Sequence, residues 1–238
     1  MSVVTLTIDG QTTAIEAGKT LLDAARQLEI PIPTLCHLEG ISDVGACRLC
    51  IVEVEGINKL LPACVTEATE GMVVHTNTPT LQDYRRLTVE LLFAEGNHTC
   101  AVCVSNENCE LQDVAITTGM THVTVPYQFP KRDVDLTHDL FGLDRNRCIL
   151  CTRCVRVCDE IEGAHVWDIA HRGGQAKLIA GLNQSWGDVD ACTNCGKCVE
   201  ACPTGAIFKQ GMTTSEMKHD RDKIQFLKTA REEKQWTR

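Results

Sequence analysis

The sequence predicts an α+β chain organised around cysteine-bearing segments, and three observations carry that prediction. The N-terminal third alternates in the strand period through VVTLTID, TTAIEA, IVEVE and MVVHT, with the helical stretch TLLDAARQL between the second and third. A longer helical pattern, TPTLQDYRRLTVELLFAEG, fits a helix from about Thr80 to Ala94 that Gly96 stops. Further on, RNRCILCTRCVRVCDE (145–160) and CTNCGKCVEACPTGA (192–206) repeat one cysteine spacing, with first cysteines 44 residues apart.

From the N-terminus, two strands meet at Gly10, a short helix capped by Thr20 or its neighbours follows, and more strands come after it. Two strands, a helix and then strands suggest a β-grasp fold. Its cysteines are Cys36, Cys47, Cys50 and Cys64, spaced C-x10-C-x2-C-x13-C. A C-x2-C pair on one loop with a distant fourth ligand is the logic of a 2Fe-2S site, although the plant ferredoxin form is C-x4-C-x2-C. Gly45 and Ala46 would let backbone N–H groups approach the sulfurs and lower the cost of a negatively charged cluster.

The two C-terminal runs each read C-x2-C-x2-C-x3-C, at Cys148, Cys151, Cys154 and Cys158, and at Cys192, Cys195, Cys198 and Cys202. This is the bacterial spacing for 4Fe-4S clusters, in which the last cysteine of each run serves the other cluster. The expected ligand sets are therefore Cys148, Cys151, Cys154 with Cys202, and Cys192, Cys195, Cys198 with Cys158. Zinc also takes C-x2-C pairs and stands as the alternative. Pro203 suits a chain turning away after the last ligand.

Twelve of the 15 cysteines are thereby placed, leaving Cys100, Cys103 and Cys109. Three thiolates do not complete a four-ligand site, and His98 is the nearest further donor, so a cluster held by His98, Cys100, Cys103 and Cys109 follows by elimination. The other reading of His98 is an ordinary surface histidine. The preceding helix, with Leu81, Tyr84, Leu87, Leu91 and Leu92 expected near one face, would deliver His98 and Cys100 from a rigid post.

The expected organisation is a 2Fe-2S ferredoxin-like domain at 1–78, a helical 4Fe-4S segment at 79–118, a two-cluster ferredoxin-like domain at 119–208 and a polar, mildly basic helical tail at 209–238. The tail is +3 and residues 1–208 are −12. It reads as a solvated helix or as a docking element. A net charge of −9 without a basic stripe argues against nucleic acid. No apolar stretch is long enough for a membrane span and no signal-peptide pattern opens the chain, so a cytoplasmic location is expected, where thiols stay reduced and serve metals. There is no G-x-G-x-x-G and no P-loop, and RGGQAK at 172–177 is only a glycine pair. Flavin and nicotinamide are expected to bind another chain.

One 2Fe-2S and three 4Fe-4S clusters, about 14 iron atoms, suggest a wire with no catalytic site of its own. Arg145, Arg147, Arg153 and Arg156 surround the first run, against Lys197 in the second, and are expected to make the first-run cluster easier to reduce.

The segment LCHLEGISDVGACRLCIVEV resembles the N-terminal 2Fe-2S domain of the large peripheral subunit of respiratory complex I, iron-only hydrogenases and NAD-linked formate dehydrogenases. Those families also carry a C-x2-C-x5-C segment after a histidine ligand. Their usual gap is H-x3-C, and this chain has H-x-C. All three segments occur in the same order, so the resemblance covers residues 1–208. Those chains continue into a large catalytic domain, and a stand-alone version ending after the second run, as expected here, resembles the diaphorase small subunit of bidirectional, NAD(P)-linked nickel–iron hydrogenase, the HoxU type. The resemblance implies a flavin- and NAD(P)-binding diaphorase subunit on one side and the hydrogenase small and large subunits on the other. The alternative is the electron-transfer subunit of an NAD-linked formate dehydrogenase or a complex I-like oxidoreductase.

Overall fold

The computed structural model describes residues 2–234. One compact unit comprises residues 1–37, 43–90 and 114–122, and a second comprises 38–42, 91–113 and 123–238.

In the first unit, β1 (Val3–Ile8) and β2 (Gln11–Glu16) form a hairpin in register from Val3↔Glu16 to Ile8↔Gln11. The two residues between them, Asp9 and Gly10, have φ of 48° and 81°, the signature of a two-residue turn whose twist matches the strands. Helix α1 (Leu21–Gln27) begins at Thr20, whose side chain accepts the Asp23 N–H while the Asp23 carboxylate accepts the Thr20 N–H at 2.9 Å. This capping box satisfies two otherwise orphaned donors.

The sheet is completed by β3 (Ile51–Val54), β4 (Leu61–Pro62) and β5 (Val73–His75), in the order β2-β1-β5-β3-β4. Strand β5 enters parallel to β1 and antiparallel to β3, which is the β-grasp arrangement. Leu21, Leu22, Ala24 and Ala25 of α1 bury their face on Leu6, Ile8, Val52 and Val74 of the sheet, at about 1.5–3 kcal/mol for each fully buried large side chain. Cys50 and Cys64 belong to the same core, so the cysteine loop is anchored by the packing that holds the sheet.

Helix α2 spans Pro79–Glu95. Its buried positions are Leu81, Arg85, Val89, Glu90 and Ala94, whereas Tyr84, Leu87 and Leu91 are exposed, which corrects the apolar face expected from the sequence. Arg85 holds the inward place because its guanidinium donates to the carbonyls of Leu49 and Ile51 at 3.0 and 2.7 Å. The helix therefore clamps the backbone of the cysteine loop through a cation, and the apolar pattern alone misplaces its face. Helix α3 (Glu110–Thr117) follows directly after Cys109.

In the second unit, β6 (Val134–Asp135), β7 (Phe141–Asp144) and β10 (Ile207–Lys209) form a sheet in the order β10-β7-β6, and β8 (Trp167–Ala170) pairs with β9 (Lys177–Ala180) as a hairpin. Helix α4 (Arg153–Arg156) runs into a π-helical turn, Val157–Glu162, that Gly163 ends at φ 76°. Helix α5 (Lys197–Ala201) is its counterpart in the second cysteine run. The core gathers Phe141, Leu143, Val157, Trp167, Trp186 and Val199, with Trp167 edge-on to Trp186 at 4.6 Å between centroids.

Helix α6 (Asp222–Glu233) is part of this core: Ile224 is fully buried, Leu227 packs on the same cluster, and Arg231 donates to the Ile161 carbonyl at 2.6 Å. The tail is therefore packed on one side rather than wholly solvated. Residues 235–238 of the expected 209–238 tail lie outside the described residues. Gly40, at φ 94°, has no room for a side chain, since a Cβ there would lie 2.9 Å from Gln225 Cα.

Candidate metal centres

The structure gathers the predicted donors into four groups. In the first unit Cys36, Cys50 and Cys64 are buried and Cys47 is half-buried. Cys47 N–H donates to Cys36 Sγ at 3.5 Å, and the Ala46 N–H also favours the Cys36 thiolate. Gly45 permits this loop path with φ 60°. Hydrogen bonds from the Cys47 and Cys64 thiols hold the Cys36 thiol far below its usual range, and the Cys64 thiol lowers Cys50 to about 7. The same contacts, with burial, push Cys47 and Cys64 upward. The opposed shifts arise because the four sulfurs lie close enough to hydrogen-bond one another. Beside them, His37 Nδ1 lies 2.8 Å from the Asp43 carboxylate.

In the second unit a cavity is lined by His98, Cys100, Cys103 and Cys109, together with Ser105 and Gly205. Helix α2 ends at Glu95, and Gly96 then lets the chain fold back: a Cβ on Gly96 would lie 2.4 Å from His98 Nε2. Burial, reinforced by Arg147, lowers the His98 imidazole to about 4, so the ring is neutral near pH 7 and can lend a lone pair to a metal. The Leu92 carbonyl favours a ring N–H, while Nε2 finds no hydrogen-bond partner among the described residues. Burial pushes Cys109 up to about 12.

A second cavity in this unit is lined by Cys148, Cys151, Cys154 and Cys202, and a third by Cys158, Cys192, Cys195 and Cys198. The last cysteine of each run thus faces the first three of the other. The two loops share a backbone path: Leu150 and Thr152 have φ of 52° and 61°, and the equivalent Asn194 and Gly196 have 59° and 70°. Two left-handed residues in alternation turn the chain inward and bring three sulfurs to one side. Burial raises Cys148 to about 11, Cys151 to about 12, and Cys154 and Cys198 further. The Trp167 side chain opposes the rise at Cys198 by hydrogen bonding to its sulfur, and Val166 N–H donates to Cys158 Sγ at 3.4 Å.

The arginines of the first run have partners within the chain. Arg153, 2 % exposed, makes two hydrogen bonds to the Glu110 carboxylate at 2.7 and 2.8 Å. Arg145 pairs with Asp133 at 2.9 Å, Arg147 pairs with Asp144, and Arg156 donates to the carbonyls of Ser42 and Cys151. Three of the four charges are thus offset by a carboxylate at hydrogen-bond distance, which weakens the lift in potential expected from counting arginines.

The donor sets fit polynuclear iron. Each group brings soft thiol donors together, one of them with an imidazole, and three of the groups surround a cavity. Sequence reasoning did not single out Ser105, Gly205, Trp167 or the Glu110–Arg153 pair. The P-T-G that follows Cys202 was the available signal for one of them, because a glycine directly after a ligand run marks close approach.

A β-grasp unit and a two-loop unit with paired cysteine runs define an iron–sulfur protein of ferredoxin type, with a 2Fe-2S domain and 4Fe-4S-binding regions. Family models agree: a 2Fe-2S iron-sulfur cluster binding domain matches residues 2–79, the NADH-ubiquinone oxidoreductase-G iron-sulfur binding region matches 85–124, and the ferredoxin-like domain of NADH-quinone oxidoreductase subunit 3 matches 139–208. The gamma subunit of the NAD-reducing hydrogenase HoxS of Cupriavidus necator is 36 % identical over 87 % of this chain and 87 % of its own length. An NADH-quinone oxidoreductase subunit of Rhizobium meliloti is 38 % identical over 87 % of this chain, which spans only 24 % of that relative. A chain in the crystal structure of an NAD+-reducing [NiFe]-hydrogenase in the H2-reduced state superimposes with a TM-score of 0.84 at 32 % identity, covering 98 % of this chain and 99 % of that one. The chain belongs to the family of iron–sulfur electron-transfer subunits of NAD-linked oxidoreductase complexes that includes the gamma subunit of NAD-reducing hydrogenase.

Proposed function

We propose that this chain is the electron-conducting subunit of an NAD(P)-linked nickel–iron hydrogenase, seated between a flavin- and NAD(P)-binding diaphorase subunit and the hydrogenase small and large subunits, with no catalytic site of its own. The observation that carries the reading is the gathering of four separate four-donor sets in one chain. Within it, Cys36, Cys47, Cys50 and Cys64 hold a 2Fe-2S cluster. His98, Cys100, Cys103 and Cys109, then Cys148, Cys151, Cys154 and Cys202, then Cys192, Cys195, Cys198 and Cys158, hold three 4Fe-4S clusters. Cluster modules at 1–78, 79–118 and 119–208 and a cytoplasmic location belong to the same reading. Among the described residues no helix is long and apolar enough to cross a membrane.

When bound, the clusters supply one-electron redox chemistry. The protein's own part is to place the donors, exclude water and set the field. Burial around Cys148, Cys151 and Cys154 makes the bare thiols hard to ionise, so deprotonation is coupled to metal loading. Neutral His98 contributes no charge, which makes its set one unit less negative than a four-thiolate site.

The second reading, a complex I-like oxidoreductase, is favoured by the NADH-oxidoreductase descriptions of the two later family models and by the Rhizobium meliloti relative, with an NAD-linked formate dehydrogenase as the remaining alternative. Isolation of the native complex without oxygen, with nickel, molybdenum and iron measured in one sample, decides between them. Stoichiometric nickel with abundant iron supports the hydrogenase. Molybdenum or tungsten without nickel moves the chain to formate dehydrogenase, and iron with neither moves it to a complex I-like enzyme.

A further inference from the structure

Ser105 has no exposed surface, and its hydroxyl has no hydrogen-bond partner among the described residues. A hydroxyl buried without a partner costs about 1–3 kcal/mol, and native proteins leave few such groups. Ser105 lines the cavity that His98, Cys100, Cys103 and Cys109 surround. Its neighbour there is Gly205, on which a Cβ would lie 2.5 Å from Cys103 Sγ and 3.3 Å from Ser105 Oγ. The hydroxyl and the sulfur therefore converge on one spot, kept clear by the absence of a side chain. Nearby polar groups are already engaged: Thr204 donates to the Arg147 carbonyl at 2.8 Å, and the Gln112 amide donates to Asn106 Oδ1 at 2.8 Å. The acceptor that Ser105 lacks is then the occupant of the cavity.

We infer that the Ser105 hydroxyl donates a hydrogen bond to a sulfur of the cluster held by His98, Cys100, Cys103 and Cys109, and so tunes that centre's reduction potential. The inference rests on the proposed ligand assignment. A donor to sulfur stabilises the more negative, reduced state, so it raises the potential. Ser105 acts on the redox centre through the sulfur and is a tuning and positioning residue.

The test is a redox titration followed by electron paramagnetic resonance on the native complex, prepared without oxygen, carrying Ser105→Ala, Ser105→Thr or Cys109→Ser, with iron counted in each. Cys109→Ser identifies the signal that belongs to this cavity. In Ser105→Ala that signal should titrate with about a three- to tenfold lower ratio of reduced to oxidised centres at a fixed potential, tenfold being about 59 mV for one electron. The other signals and the iron content should stay unchanged, and Ser105→Thr, which keeps the hydroxyl, should recover the native value. An unshifted midpoint in Ser105→Ala with full iron overturns the hydrogen bond. If Cys109→Ser leaves every signal and the iron content intact, the ligand assignment falls, and the inference falls with it on separate grounds.

Discussion

The two cysteine runs of the second unit fold alike and differ in how far their loops are covered. In the first, Cys151, Cys154 and Cys158 are buried, and Cys148 and the rest of the loop are half-buried. In the second, Cys195 is exposed, as are Thr193 and Asn194 on either side of the turn. The first is encased by guanidinium groups, with Arg153 sealed against Glu110. The second has Lys197 paired with Glu162 and an aromatic wall of Phe141, Trp167 and Trp186. One spacing therefore leaves every sulfur of the first run at least half-buried and brings one sulfur of the second to the surface. Cysteine spacing sets what is bound, and the surroundings set how easily anything outside reaches it.

The largest effect should come from the crossed cysteines. Cys202→Ser should abolish the first-run cluster and Cys158→Ser the second-run cluster, each removing about four of roughly 14 iron atoms. Iron analysis with electron paramagnetic resonance reads this directly. If Cys158→Ser erases the first-run signal instead, each run is self-contained and the comparison has to be redrawn.

Next in size is the buried ion pair. Glu110→Ala removes the carboxylate that accepts two hydrogen bonds from Arg153, and breaking a wholly buried pair costs about 3–5 kcal/mol. Glu110 keeps 23 % of its side chain exposed, and Arg221 also lies 2.6 Å from its carboxylate, so about 2–3 kcal/mol is expected in denaturant unfolding of the loaded chain. An unchanged midpoint would show that solvent already screens Arg153.

Accessibility gives a third contrast. With Cys195 at the surface, an iron chelator should bleach the second-run signal several times faster than the first. Equal rates, followed by resonance under anaerobic conditions, would remove the distinction between the two runs.

The smallest effects test the shared backbone. Thr152 and Gly196 occupy equivalent left-handed positions, but only one of them is glycine. Gly196→Thr should cost about 1–2 kcal/mol, whereas Thr152→Gly should be close to neutral, since the strain it relieves is offset by loss of the hydrogen bond that Arg156 donates to the Thr152 hydroxyl at 3.3 Å. Melting of the loaded variants checks the sign. If both changes destabilise equally, the Thr152 side chain contributes packing that offsets its strain.

Much of this was legible in the sequence because ligand chemistry is local. Three sulfurs within seven residues demand a tight loop whatever surrounds it, and the strand alternation and the Thr20–Asp23 cap mark the β-grasp with short-range signals. Other features were not legible because they join distant positions. The inward face of α2 follows Arg85, since two loop carbonyls accept from its guanidinium and offset the cost of burying it, and apolar periodicity is blind to that. The tail read as a polar, mildly basic helix, yet Met217 and Ile224, with Leu227 packed beside them, seat it in the core, at a close approach to Gly40.

By itself the sequence determined which donors exist, how they group along the chain and that the chain is an iron–sulfur protein, because spacing limits which thiolates one short loop can present. Only the tertiary structure decided which sulfur reaches the surface, which arginines are neutralised and which hydroxyl is left facing the His98 cavity. Those depend on burial and on partners far apart in sequence, and a dielectric environment is a property of the packed molecule.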